Sequence, residues 1–238
     1  MPIDQFHDRR QAGELLARKL AAYAHRRDVV VIALARGGVP VGFAIAERLQ
    51  VEFDVLQVRK LGIPGNEGLA MGAVTDGGVC VLRPEIVNSL DIPPEVIEAA
   101  AQRELRDMQR RLRAYRSSKP EPRIQDRTVI LVDDGLETGA TMQAAVRALQ
   151  HRRPAQVIVA LPVAAPQNLD ELKPEADDVI CLDAPAGFVA VRHHYVDYAD
   201  VADADIRKCL AEAEQWHVPD RVAAEGRIPP QSHPTVPG

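Results

Sequence analysis

The stretch Val129-Ile130-Leu131-Val132-Asp133-Asp134-Gly135-Leu136-Glu137-Thr138-Gly139-Ala140-Thr141 governs how the rest of the chain is read. Its first four residues are apolar, and a continuous apolar run of this kind marks a strand buried on both faces of a parallel sheet. The strand, Thr128 to Val132, delivers two adjacent carboxylates, Asp133 and Asp134, to its carboxyl end. Thr138-Gly139-Ala140-Thr141 then opens a helix that runs from Gly139 to Arg152. A helix start has free backbone N–H groups and the positive end of the dipole, so it suits a phosphate. Two threonine hydroxyls add donors, and a glycine without Cβ allows close approach. Carboxylates beside such a site would repel a bare anion; they make sense if they hold sugar hydroxyls or a hydrated Mg2+. Any one of these residues alone reads as an acidic turn with Thr138 as N-cap. Their ordered combination is what argues for a ligand.

The same alternation of strand and helix extends in both directions. Upstream, a helix is expected from Arg9 to Arg26, then the apolar strand Val29 to Leu34, ending at Arg36-Gly37-Gly38. A helix from Pro40 to Leu49 and a strand over Val51 to Val58 follow. Arg59 to Leu69 reads as a Gly/Pro-rich loop, followed by short strands at Ala70 to Thr75 and Val79 to Leu82 joined by an Asp76-Gly77-Gly78 turn. A long helix over Pro94 to Arg116 buries a stripe from Ile97 to Tyr115. Downstream lie strands at Gln156 to Leu161 and Asp178 to Leu182, a short helix at Asn168 to Leu172 and a last helix at Asp203 to Trp216. This order predicts an α/β fold with a doubly wound parallel sheet flanked by helices. Ligands of such sheets bind at strand carboxyl ends, which selects the loops Ala35–Gly38, Arg59–Leu69 and Asp133–Thr141. The 22 residues from His217 hold five of the 18 prolines and read as a tail.

Composition narrows the function. With 29 Lys/Arg against 34 Asp/Glu the net charge is −5, and Trp 1, Tyr 4 and Phe 4 are the whole aromatic complement. Bulk-charge nucleic-acid binding and an aromatic stacking platform are both disfavoured. No apolar run reaches the ~18 residues of a membrane span, and the polar start of the chain carries no secretory pattern. A cytoplasmic protein without a membrane partner is expected. Cys80, Cys181 and Cys209 are far apart and read as buried small hydrophobes. His193-His194, read as extended, would point to opposite faces and chelate poorly.

Apolar strand, two acids, a few variable residues and Thr-Gly-x-Thr together resemble the phosphoribosyl diphosphate (PRPP) motif of type I phosphoribosyltransferases. The resemblance covers Val29 to Tyr198. It implies that Asp133 and Asp134 hold the ribose hydroxyls and that Glu137, Thr138, Gly139, Ala140 and Thr141 wrap the 5′-phosphate. Ala35-Arg36-Gly37-Gly38 looks like the family's diphosphate loop, with a non-proline cis peptide implied at Ala35–Arg36. Arg59-Lys60-Leu61-Gly62-Ile63-Pro64-Gly65-Asn66-Glu67-Gly68-Leu69-Ala70 looks like the flexible catalytic loop of a bacterial subgroup of mostly unassigned substrate, with Asn-Glu-Gly-Leu-Ala where that subgroup has Asn-Pro-Glu-Leu-Ala. Gly187 to Tyr198 is similar to the hood of the 6-oxopurine enzymes: Phe188 and Val189 would contact the base, and Asp197 would assist the metal, with Arg192 in place of a family glycine. One domain is expected over 1–216, its core at 29–182 and its hood built from the N-terminal helix and 183–216.

The implied activity is glycosyl transfer: a base nitrogen displaces Mg2+-bound diphosphate from C1 of PRPP. Arg36 and Lys60 would stabilise the leaving group, and Glu137, where the purine enzymes carry an Asp, is a candidate general base. Replacing both Asp133 and Asp134 with Asn is expected to weaken PRPP binding and leave the fold intact. The implied partners are PRPP and a nucleobase-like acceptor, in a homodimer or larger homo-oligomer. A competing reading is a PRPP-sensing regulator or nucleic-acid-binding protein without turnover, motivated by the basic helix face Arg103–Arg116, although Glu104 and Asp107 are interleaved there. An NAD-binding Rossmann domain is excluded by the lack of Gly-x-Gly-x-x-Gly at the first helix.

Overall fold

The computed structural model describes residues 5–116 and 121–216; the expected tail at 217–238 lies outside them. The central sheet holds five parallel strands: β1 (Val29–Leu34), β2 (Glu52–Leu56), β6 (Thr128–Val132), β7 (Gln156–Val163) and β8 (Asp178–Asp183). Their order is β2-β1-β6-β7-β8. Every residue of β1 and β6 is buried. Successive side chains point to opposite faces, so Val29, Val31, Ala33, Ile130 and Val132 pack into one core and Val30, Ile32, Leu34, Val129 and Leu131 into the other. Helices α1 (Arg9–Lys19), α2 (Gly38–Leu49) and α7 (Asp203–Trp216) cover the first face; α5 (Ala140–Gln150) and α6 (Pro166–Leu172) contribute to the second. The doubly wound parallel sheet is therefore as expected.

A second sheet, antiparallel and three-stranded, holds β3 (Val58–Ile63), β4 (Asn66–Thr75) and β5 (Cys80–Leu82). Leu61, Met71 and Val74 on this sheet share a core with Ala100 and Met108 of α4 (Pro94–Arg116). Here the structure corrects the reading of Arg59–Leu69 as a loop. Most of it is hairpin, with Arg59 opposite Val74 and Lys60 opposite Ala73. The turn is Ile63-Pro64-Gly65-Asn66, and Gly65 has φ +82°. Proline followed by a positive-φ glycine is the signature of a type II turn. The Gly/Pro residues therefore mark a tip and its irregular register rather than a long loop.

Other departures are local. The first helix stops at Lys19 and tightens into a 3-10 turn at Ala21–Tyr23, because the chain must reverse to enter β1; such turns are a common helix ending. A helix at Pro84–Ser89 (α3) adds to the expected elements. Val191–His194 is a 3-10 turn rather than extended chain, which removes the opposite-face argument about the two histidines. Cys80 is exposed rather than buried, whereas Cys181 and Cys209 are half-buried and pack against the two core clusters. On α4, Arg103 pairs with Glu104 and Arg110 with Asp107. No helix among the described residues is long and apolar enough to cross a membrane.

Candidate functional site

The chain leaves β1 to form β2 on one side, whereas β6, β7 and β8 extend on the other. The order therefore reverses between β1 and β6, and ligands of open α/β sheets bind in the crevice at such a point. The loops Ala35–Gly38 and Asp133–Thr141 start from these two neighbouring strands. Each leads into a helix start, α2 at Gly38 and α5 at Ala140, and neither start is capped by a side chain. In α5 the residue before the helix is Gly139, with φ +72°, so Thr138 is not the N-cap and the plain capped-turn alternative does not hold. The loops touch: a Cβ on Gly38 would lie 2.7 Å from the Val132 carbonyl oxygen and 2.9 Å from Asp133 Cα, and one on Gly37 would strike the Asp134 carboxylate. The peptide Ala35–Arg36 is cis, as expected. The acid pair thus sits between two helix N-termini.

A cavity of about 220 Å3 opens over the pair. One wall is the phosphate-type loop itself, with Glu137, Thr138, Gly139 and Thr141; Val191 and Tyr198 close the other side. Asp133 keeps a partly open edge on the cavity. Burial and the neighbouring Asp134 carboxylate push its carboxyl well above the usual carboxylate range. Asp134 is buried and tied: its Oδ2 accepts from Arg9 Nε at 2.8 Å and from the Tyr198 hydroxyl at 2.9 Å. Glu137 faces the same space, with Oε1 accepting from the Val191 N–H at 2.9 Å, while its carbonyl accepts from Asn168 Nδ2.

The remaining candidates are spread around this centre. The Arg36 guanidinium turns toward α7, 2.9 Å from Asp203 Oδ1, and donates to the Val201 carbonyl. Both side chains of that pair are about half exposed, and exposed pairs contribute only ~0–1 kcal/mol, so Arg36 can exchange Asp203 for an anion at small cost. Lys60 lines a second cavity of about 510 Å3 with Thr138 and Ala140, and so meets the helix-start loop from the hairpin side. Arg59 is its neighbour on β3 and does not line that cavity. Phe188 is half-buried and stacks on His194 with ring centroids 5.3 Å apart; Val189 is exposed. Neither lines the two cavities. Asp197 is exposed, and its Oδ1 accepts from the Ala199 N–H. Among the described residues no cluster of three or more His, Cys, Asp or Glu could hold a metal.

Arg9 is a residue of this centre that sequence reasoning missed, while Val191 and Tyr195 fall in the expected hood stretch but carry no role from sequence. Phe6 and Tyr195 form a bridge, so the chain start is stitched to the segment before α7, and Arg9 and Tyr195 both bond Asp134. Arg9 carries no local signal: it is one of two arginines opening an ordinary amphipathic helix.

At the turn into α5, Gly139→Ala would force a Cβ into the left-handed region, at a cost of ~1–2 kcal/mol. A fall of roughly 2–8 °C in Tm is expected at this chain length; thermal melts showing no change would mean the turn relaxes.

The phosphoribosyl transferase domain family model matches residues 2–196. Proteins from two Mycobacterium tuberculosis strains, provisionally named phosphoribosyl transferases, are 36% identical over 210 residues, which is 88% of this chain and 47% of theirs. The chain thus spans about half the length of the curated relatives it matches. The crystal structure of TT1426 from Thermus thermophilus is 41% identical, superposes with a TM-score of 0.77, and is matched over 87% of this chain and 98% of that one.

Proposed function

The chain belongs to the phosphoribosyl transferase domain family, and we propose that it binds PRPP as its magnesium complex and transfers the phosphoribosyl group to a nitrogenous base, with purines among the candidates. The observation that carries this reading is two uncapped helix starts with a carboxylate pair between them. PRPP has the complementary order: a phosphate, a sugar diol and a diphosphate. The start of α5 takes the 5′-phosphate. Asp133 and Asp134 accept from the ribose hydroxyls, and the Ala35–Gly38 loop with Arg36 takes the diphosphate. Mg2+ favours one or two carboxylates, substrate phosphates and retained waters; with two acids at the cavity, it fits as an ion carried in by the substrate. It supplies charge neutralisation of the leaving group.

In the reaction the bond from C1 to the diphosphate oxygen breaks and a bond from C1 to the ring nitrogen forms. The electron pair leaves with diphosphate, which Arg36 and Lys60 stabilise as its charge grows. The ring N–H proton goes to Glu137. The β3–β4 hairpin and the segment around Phe188 exclude water when the base is bound.

A diphosphate-release assay with PRPP, Mg2+ and a panel of nucleobases tests the proposal. Release that depends on one class of base is expected. PRPP binding without base-dependent release would instead favour a sensing protein, and salt-dependent nucleic-acid binding in its place would turn attention to the basic face of α4.

A further inference from the structure

The second acid of the pair is held by a polar cluster that the transfer reaction as described does not use. Arg9, the first residue of α1, reaches across the fold to Asp134, and both side chains of the pair are only 10% exposed. Its Nη1 donates to the Ala199 carbonyl at 2.7 Å, and its guanidinium carbon lies 3.8 Å from the Tyr198 ring centroid. The Tyr198 hydroxyl donates to the same Asp134 oxygen that Arg9 holds, and the Tyr195 hydroxyl donates to the Asp134 carbonyl at 2.6 Å. The Tyr198 hydroxyl is a donor at neutral pH, as any tyrosine is, and burial, with the Asp134 charge beside it, pushes its pKa further up, to about 12.

We propose that Arg9 is a positioning residue for ribose recognition: with Tyr198 it engages Asp134 Oδ2, so that Asp134 presents Oδ1 to the sugar in one orientation. The inference rests on the PRPP reading above. A purely structural role explains the cluster poorly, because a buried ion pair is often no more stabilising than apolar residues of similar volume. Outer partners that fix the orientation of a ligand-holding carboxylate are, by contrast, a common requirement of precise sites. Tyr195, Tyr198 and Ala199 lie on the segment paired with Phe6 and His7, so the same cluster joins the sugar site to the part of the chain expected to meet the base.

The test compares two anions on folded protein. Calorimetry with PRPP and Mg2+ reads the whole site; inorganic phosphate, followed by NMR shifts of the Gly139–Thr141 amides, reads the α5 start separately from the Ala35–Gly38 loop. Arg9→Met is expected to weaken PRPP binding by roughly 10- to 100-fold, the usual scale for losing an outer-shell partner, with phosphate binding unchanged. Arg9→Lys should recover part of the loss. Unchanged PRPP affinity in Arg9→Met, or an equal loss for both anions, overturns the positioning role. If Arg9→Met does not fold, Tyr198→Phe decides: weaker PRPP with unchanged phosphate supports the inference, and unchanged PRPP overturns it. Wild-type protein that binds phosphate but not PRPP overturns the PRPP reading, and this inference with it.

Discussion

Asparagine in place of Asp133 is expected to give a protein that melts higher than wild type at neutral pH and yet binds PRPP more weakly. The Asp133 carboxyl is pushed well above the usual range by burial and by Asp134. A carboxyl raised on folding binds its proton more tightly in the native state than in the unfolded one. Stability therefore falls as pH climbs from the unfolded carboxylate range through the raised native value. Asparagine matches the neutral acid in shape and cannot ionise, so it escapes that loss. The two proteins should converge in Tm at acid pH and separate as pH rises. Binding moves the other way, because Asp133 can release its proton as the sugar hydroxyls bind and then accept from them as a carboxylate, which an amide cannot do. Hydrogen bonds to charged groups contribute ~1.5–3 kcal/mol, so PRPP affinity should drop about 10- to 150-fold. Thermal melts across pH with calorimetry on both proteins check this. Equal Tm profiles would remove the raised carboxyl, and equal affinities would remove Asp133 from the ribose site. Asp134→Asn is a different experiment. It leaves the buried Arg9 guanidinium without its ion-pair partner, which costs ~3–5 kcal/mol, so the expectation that both acids can be replaced with the fold intact survives only for Asp133.

What can be read in advance divides along a physical line. The strands β1 and β6 are buried on both faces, and their runs of apolar residues leave few alternative placements. Helix α4 matches its expected span from Pro94 to Arg116, since a long apolar stripe is the strongest periodic signal a chain carries. The hairpin at Arg59–Leu69 is harder. Its stretch is rich in glycine and proline but turns only once, and the information lies in the order Pro64-Gly65, not in composition. Within the site, Asp133, Asp134 and the helix start are adjacent in sequence and so legible as a unit. The partners that orient them are not: Arg9 and Asp134 are 125 positions apart, and no local pattern records a contact that only the packing of α1 against the sheet creates. The same holds for Arg36, whose position next to a glycine pair suggests an anion, while the fold supplies Asp203 as its partner in this state.

Glu137 carries the other large expectation, and geometry makes it separable. Its Oε1 is fixed by the Val191 N–H, and the side chain lines the cavity over the acid pair. A base oriented in this way has its second oxygen available for the proton of the incoming ring nitrogen. If that is its role, Glu137→Gln and Glu137→Ala should both lower kcat by roughly 10²- to 10⁴-fold, the usual range for acid–base catalysis. KM for PRPP should change little, the pattern of a group that acts in the transition state. The opposing account is mechanical: the carboxylate ties the phosphate loop to Val191 and does nothing else. Glutamine separates the two, because its amide oxygen can accept the same Val191 N–H but cannot take a proton at neutral pH. A tether predicts near-normal turnover for Glu137→Gln and a loss only for Glu137→Ala. We expect both variants to be slow. Steady-state rates with the best base from the diphosphate-release screen check it, and a fast Glu137→Gln enzyme would remove the base assignment while leaving phosphoribosyl transfer in place.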